Sequence, residues 1–152
     1  MADYVAVIGA SAPRPEDLEH AHAAGRRLAE LGAIVVTGGR GGVMEAACRG
    51  AKEGGGMTVG ILPGLDRSDA NAFVDVSLPT GLGEMRNGLV ARAAEAVVAV
   101  GGAWGTLAEI AFARGAGTPV FGVGSWELGD DGVTVVGSGA EAAERAVAAI
   151  RS

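Results

Sequence analysis

Ala96-Val97-Val98-Ala99-Val100-Gly101-Gly102-Ala103-Trp104-Gly105-Thr106-Leu107-Ala108-Glu109 decides the fold. An unbroken apolar run ending in glycines and opening into a helix-forming segment is a strand covered on both faces, turning sharply into a helix. The same unit recurs along the chain. Tyr4–Ile8, Ala33–Thr37, Thr58–Leu62, Phe73–Ser77, Ala96–Val100 and Pro119–Val123 read as strands, with a short Val133–Val136 strand after a Gly129–Gly132 turn. Helical spacing predicts helices over Pro15–Leu31, Val43–Glu53, Leu82–Ala94, Thr106–Arg114 and Ala140–Ile150. Pro63–Ala72 reads as a surface loop. This alternation predicts an α/β fold: a Rossmann-like open parallel sheet with helices on both faces, in one domain over residues 1–152.

Composition narrows the function classes. A chain of 152 residues buries a core without disulfides or metals, and its 27 glycines sit in mixed sequence, as tight strand–helix turns require. A net charge of −6 opposes nucleic acid and anionic membrane surfaces, which need clustered Lys and Arg. Cys48 is the only cysteine, and His20 and His22 stand two apart on a helix, so no metal site is expected. Lys52 is the only lysine among 12 basic residues; a Gly-Lys-Ser/Thr phosphate loop is absent, and no resident cofactor is expected. No signal-peptide pattern stands at the N-terminus and no apolar run reaches the roughly 20 residues of a membrane helix, so a cytoplasmic location is expected.

Open parallel sheets bind ligands beyond the carboxyl ends of their strands. Three loops there are glycine-rich: Gly9-Ala10-Ser11, Thr37-Gly38-Gly39-Arg40-Gly41-Gly42, and Gly101-Gly102-Ala103-Trp104-Gly105-Thr106. Glycine permits close backbone approach and aims N–H groups and a helix N-terminus at an anion, so these loops are expected to bind a phosphate. The first lacks the rest of a GxGxxG and runs into Pro13 and Pro15, which disfavours a dinucleotide. Arg86 falls within the apolar stripe of Met85, Leu89, Val90 and Ala93; a guanidinium directed inward wants an anion from ligand or protein. Arg92 lies at the margin of that stripe, suited to packing or a subunit contact. Thr106-Leu107-Ala108-Glu109 also fits a capping box, in which Thr106 caps the helix and Glu109 reaches back. Trp104 either stacks on a ligand base or covers the turn.

With these residues in place, Gly102–Glu109 resembles the P-G-G-x-G-T-x-x-E motif of the LONELY GUY (LOG) family of cytokinin nucleotide phosphoribohydrolases. The family's catalytic arginine precedes the final glutamate by 23 positions, and 109 − 86 = 23. Arg92 matches a further family arginine, and Thr37–Met44 is similar to the family's S-G-G-G-x-x-G-x-M segment. The resemblance implies a homodimer with Arg86 and Glu109 as catalytic residues, flanked by Met85 and Asn87. The chain departs from the family at Gly101 for its proline, Ala103 for its second glycine and Asn87 for its usual lysine. Those departures look like a short sister branch similar to molybdenum-cofactor carrier proteins, which bind a phosphorylated pterin without chemistry. The superfamily also reaches DNA-processing protein A, a role the acidic charge opposes. The leading expectation is hydrolysis of the N-glycosidic bond of a nucleoside 5′-monophosphate, with Glu109 stabilising charge on the ribose and Arg86 positioning the phosphate. The competing expectation is a carrier using the same pocket without turnover.

Overall fold

The computed structural model describes residues 2–129 and 131–152. Seven strands and five α-helices follow one another as β1 (Tyr4–Gly9), α1 (Pro15–Glu30), β2 (Ile34–Thr37), α2 (Val43–Glu53), β3 (Thr58–Leu62), β4 (Val76–Pro79), α3 (Arg86–Arg92), β5 (Ala96–Val100), α4 (Trp104–Gly115), β6 (Val120–Val123), β7 (Thr134–Val135) and α5 (Gly139–Arg151). They build one sheet in the order β4-β3-β2-β1-β5-β6-β7, and every pairing is parallel. Alternation along β1 divides the core in two. Val5 and Val7 pack with Ala24, Leu28 and Val147 on the face covered by α1, α2 and α5. Ala6 and Ile8 pack with Val90 and Ile110 under α3 and α4. Among the described residues, no helix is long and apolar enough to cross a membrane.

Several elements differ from the sequence expectation. The fourth strand is Val76–Pro79 rather than Phe73–Ser77, because the residues before it are bonded elsewhere. The Phe73 carbonyl accepts the Thr58 hydroxyl, and the Asp75 carboxylate accepts the Thr58 N–H at 2.9 Å and the Lys52 ammonium at 2.8 Å. Laddering against β3 therefore begins at Val76. The helix expected over Leu82–Ala94 is a 3₁₀ turn at Gly83–Met85 followed by the seven-residue α3. Gly81 and Gly83 take φ of +69° and +59°, which no helix continues through. Inside α3 only Val90 and Ala91 are buried; Met85, Leu89 and Ala93 face outward, while Arg86 lies half-buried on the inner side. A 3₁₀ turn at Arg67–Asp69 interrupts the loop read at Pro63–Ala72. Gly132 donates to the Gly129 carbonyl at 3.1 Å, as a turn there requires, while Asp130 lies outside the described residues.

Helix α1 is gripped from both sides through glycines. A methyl group at Gly25 would stand 2.0 Å from the Ala47 carbonyl, one at Gly50 2.0 Å from that of His22, and one at Gly139 1.9 Å from that of His20. Backbone meets backbone at each of these points, so α2, α1 and α5 lie closer than side chains would permit. Overpacking a tight interior costs about 1–3 kcal/mol, at 2–4 °C per kcal/mol for a domain of about this size. Gly50→Ala is expected to lower the melting temperature by about 2–12 °C in a thermal scan; an unchanged value would mean that the helices separate freely.

Candidate functional site

Strand order reverses at β1: β2, β3 and β4 extend to one side, β5, β6 and β7 to the other. Loops leaving β1 and its neighbours diverge there, which is where open α/β sheets place ligands. A cleft of about 430 Å³ opens at this point. Ser11 lines it from the first loop, Gly38, Arg40 and Gly41 from the second, Arg86 and Asn87 from α3, and Ala103, Gly105, Thr106 and Glu109 from the start of α4. Gly39, Gly42 and Gly102 do not line it; they shape the loops from behind. Gly42 takes φ of +66°, and a methyl there would meet the Ala10 carbonyl at 2.4 Å. Gly41 is the opposite case, with no atom within 4 Å of a methyl position. Met85 is exposed, and Arg92 borders a separate shallow groove with Ala108, Ala111 and Phe112.

Helix α4 begins two residues earlier than its sequence suggests. Ala103 is the N-cap, and its N–H donates to the Thr106 hydroxyl at 3.3 Å. Thr106 thus performs the reach-back that the capping-box reading assigned to Glu109. Glu109 sits a turn further on, buried and with no hydrogen-bond partner among the described residues. The N–H groups of Trp104, Gly105 and Thr106 also carry no partner among the described residues, leaving the positive end of α4 open beside the cleft.

Arg86 is anchored at its far end only. Its guanidinium donates to the Gly38 carbonyl at 3.3 Å and to the Asn87 side-chain oxygen, while Nε is buried without a partner among the described residues. A methyl at residue 38 would lie 2.7 Å from the guanidinium and from the Met44 sulfur, so a side chain there would displace both. Burial pulls the Arg86 pKa below its ordinary value; Arg40 acts the same way, and Glu109 opposes both. Burial pushes Glu109 from 4.5 up to about 8, against the pull of Arg86. Perturbed pairs in clefts are common at functional sites. Among the described residues, no group of three or more His, Cys, Asp or Glu side chains is placed to hold a metal ion.

Gly101 replaces the proline of the LOG motif at φ of +60°, which a proline ring cannot adopt. A methyl there would strike the buried Asp17 carboxylate at 2.6 Å, and Arg14 binds that carboxylate with its backbone N–H and guanidinium. Sequence reasoning missed Trp126. Its indole N–H donates to the Ala103 carbonyl at 3.2 Å, and its ring lies 5.3 Å from that of Trp104, tilted by 37°. Ser125-Trp126 follows the apolar run of β6, at the same sheet edge as the glycine-rich loops, but no motif marks it.

A family model for the SLOG cluster4 family matches residues 2–131. An uncharacterized protein of Archaeoglobus fulgidus is 40% identical over 109 residues, 72% of each chain. The structure of the molybdenum cofactor binding protein from Rippkaea orientalis superposes with a TM-score of 0.92 at 31% identity, covering 100% of this chain and 99% of that one. The molybdenum cofactor carrier protein from Chlamydomonas reinhardtii gives 0.92 at 33% identity over 100% of both. DNA processing protein A from Streptococcus pneumoniae, at 22% identity and a TM-score of 0.74 over 61% of its length, shares the fold.

The Glu109 environment has a measurable consequence. Between pH 4.5 and about 8 the folded protein keeps a proton that the unfolded chain has released. The native state then binds more protons, so stability falls as pH rises through this window, by at most about 1.4 kcal/mol per pH unit. Glu109→Gln cannot titrate. Urea unfolding from pH 5 to pH 8.5 should show the variant gaining on the wild type as pH rises; a pH-independent difference would mean that Glu109 titrates normally.

Proposed function

The chain belongs to the SLOG cluster4 family, and from that premise we propose that it binds a phosphorylated pterin of the molybdenum-cofactor type as cargo and releases it unchanged. The observation that carries this reading is the whole-chain likeness to two molybdenum cofactor proteins, and burial of the Glu109 carboxyl, which pushes its pKa up to about 8 and favours the neutral form, agrees with it. A neutral carboxyl donates a hydrogen bond to a ligand but gives little support to a developing ribosyl cation. The phosphate sits at the start of α4, held by the N–H groups of Gly105 and Thr106, with Arg86 and Arg40 supplying positive charge. Asn87 stands where the LOG family has lysine and serves to orient Arg86 rather than to add charge. Trp104 and Trp126 do not line the cleft; they pack on one another beside the start of α4, so neither is assigned a stacking role. The protein acts in the cytoplasm, and the net charge of −6 turns nucleic acid away.

A second reading remains attached to one observation: Arg86 and Glu109 line the same cleft. Hydrolysis of a nucleoside 5′-monophosphate would use this pair. Water adds to C1′, the bond from C1′ to the base nitrogen breaks, and the base leaves with a proton beside ribose 5-phosphate. Glu109 must then be ionised to stabilise the cation, so turnover would rise with pH through about 8.

The two readings separate in one experiment. Calorimetry with a molybdopterin preparation, guanosine monophosphate and inorganic phosphate is expected to show binding, with the pterin tightest. Chromatography should detect no free base from a panel of nucleoside monophosphates between pH 6 and pH 9. Glu109→Gln should retain binding. Base release that climbs through pH 8 and disappears in Glu109→Gln would replace the carrier with the hydrolase. Gly41→Val should leave the melting temperature unchanged, since a side chain there meets open space, yet weaken binding on the order of tenfold or more by filling the cleft.

The outer faces of α3 and α4 expose Met85, Leu89 and Phe112 beside the Arg92 groove, a surface suited to a second copy of the chain. Light scattering at micromolar concentration is expected to give about twice the 15.0 kDa chain mass. A monomer would leave that apolar surface in water and count against the assembly.

A further inference from the structure

Asn71 lies outside the cleft, in the segment between β3 and β4, yet it is bonded to the loop that lines it. Its backbone N–H donates to the Gly39 carbonyl at 2.9 Å, and its side-chain Nδ2 donates to the Arg40 carbonyl at 2.9 Å. The side-chain oxygen accepts the Phe73 N–H at 3.0 Å, which fixes the amide orientation. Two consecutive carbonyls of the second glycine-rich loop are therefore held toward Asn71. In a trans peptide the carbonyl of one residue and the N–H of the next point in opposite directions. Holding the Gly39 and Arg40 carbonyls on one side turns the N–H groups of Arg40 and Gly41 to the other. Both residues line the cleft, and neither N–H has a partner among the described residues.

We infer that Asn71 is a positioning residue for the anion site, directing the Arg40 and Gly41 amides at the ligand by pinning the carbonyls behind them. Backbone donors aimed in advance bind an anion without paying to reorganise. This rests on the proposal that the cleft takes a phosphate. It adds that the second loop contributes a prepared pair of amides, opposite the N–H groups at the start of α4.

The test uses the full ¹⁵N-labelled chain titrated with inorganic phosphate and followed by amide NMR. Two variants are compared: Asn71→Asp keeps the acceptor for Phe73 but loses the Nδ2 donor, and Asn71→Ala loses the donor without adding charge. In the wild type, the Arg40, Gly41, Gly105 and Thr106 amides are expected to shift. In both variants the dissociation constant should rise on the order of tenfold, the loss of about one hydrogen bond to the loop. The Gly41 shift should vanish, because the lost Nδ2 donor held the carbonyl of its own peptide, while those of Arg40, whose peptide the Asn71 backbone N–H still holds, Gly105 and Thr106 persist, with the fold intact by the remaining spectrum. Weakening in Asn71→Asp alone would be charge repulsion and would overturn the inference, as would unchanged affinity or an equal loss of all four shifts. If the wild type itself shows no phosphate-induced shift, the phosphate reading fails and the inference falls with it; a responsive wild type with indifferent variants sinks the inference only.

Discussion

At Gly42 the second strand-end loop rests directly on the first, and the cleft depends on that contact. The Val43 N–H reaches the Ala10 carbonyl at 3.1 Å, and no side chain fits between. Any larger residue would push the start of α2 away from β1 and widen the space in which Arg86 meets Gly38. The same device recurs in the layer behind the sheet, where Gly25, Gly50 and Gly139 let helices touch through their backbones. A chain with so few aromatic residues has little bulk to fill gaps, and it compensates by closing the distances instead.

Buried Glu109 and half-buried Arg86 then share a small volume. Arg86 loses hydration and recovers part of it from Gly38 and Asn87, whereas Glu109 recovers nothing from hydrogen bonds among the described residues. No ion pair joins them within 4.0 Å among the described residues. Burial without pairing is costly for a charge, and it pushes the Glu109 pKa up to about 8. The buried Arg86 Nε, without a partner among the described residues, and the Glu109 carboxyl both border the same cleft. They also explain why a motif shared with hydrolases does not by itself imply hydrolysis: the chemistry follows the protonation state, and the protonation state follows the surroundings.

Much of this was legible from residue order. Continuous valine and alanine runs such as Val97–Val100 identify buried strands regardless of what surrounds them, and all three glycine-rich loops reach the sheet edge as expected. What escaped lies where distant residues decide. Phe73–Ser77 has strand character, but Thr58 and Lys52 occupy its polar groups, and neither is a neighbour in sequence. Arg86 does face inward, yet its companions Met85, Leu89 and Ala93 face out, because a short helix following two left-handed glycines leaves only Val90 and Ala91 against the sheet. The assignment of Glu109 to a capping box failed by a two-residue error in the helix start, a scale at which sequence signals are weakest. Asn71 and Trp126 carried no motif. They act by tying off carbonyl groups in other loops, which only the assembled sheet edge displays.

The chain holds two tryptophans, and both stand at the start of α4. Trp104 is 77% exposed and packs on Trp126, whose own indole N–H donates to the carbonyl of Ala103. Tryptophan emission from the unlabelled protein therefore comes from one spot, a few residues from the cleft, while the valine-rich interior contributes none. A fluorescence-monitored melt of this protein follows the loosening of that loop rather than the collapse of the sheet. Where the signal moves before circular dichroism does, the gap between the two curves measures how independently the binding edge opens from the scaffold beneath it.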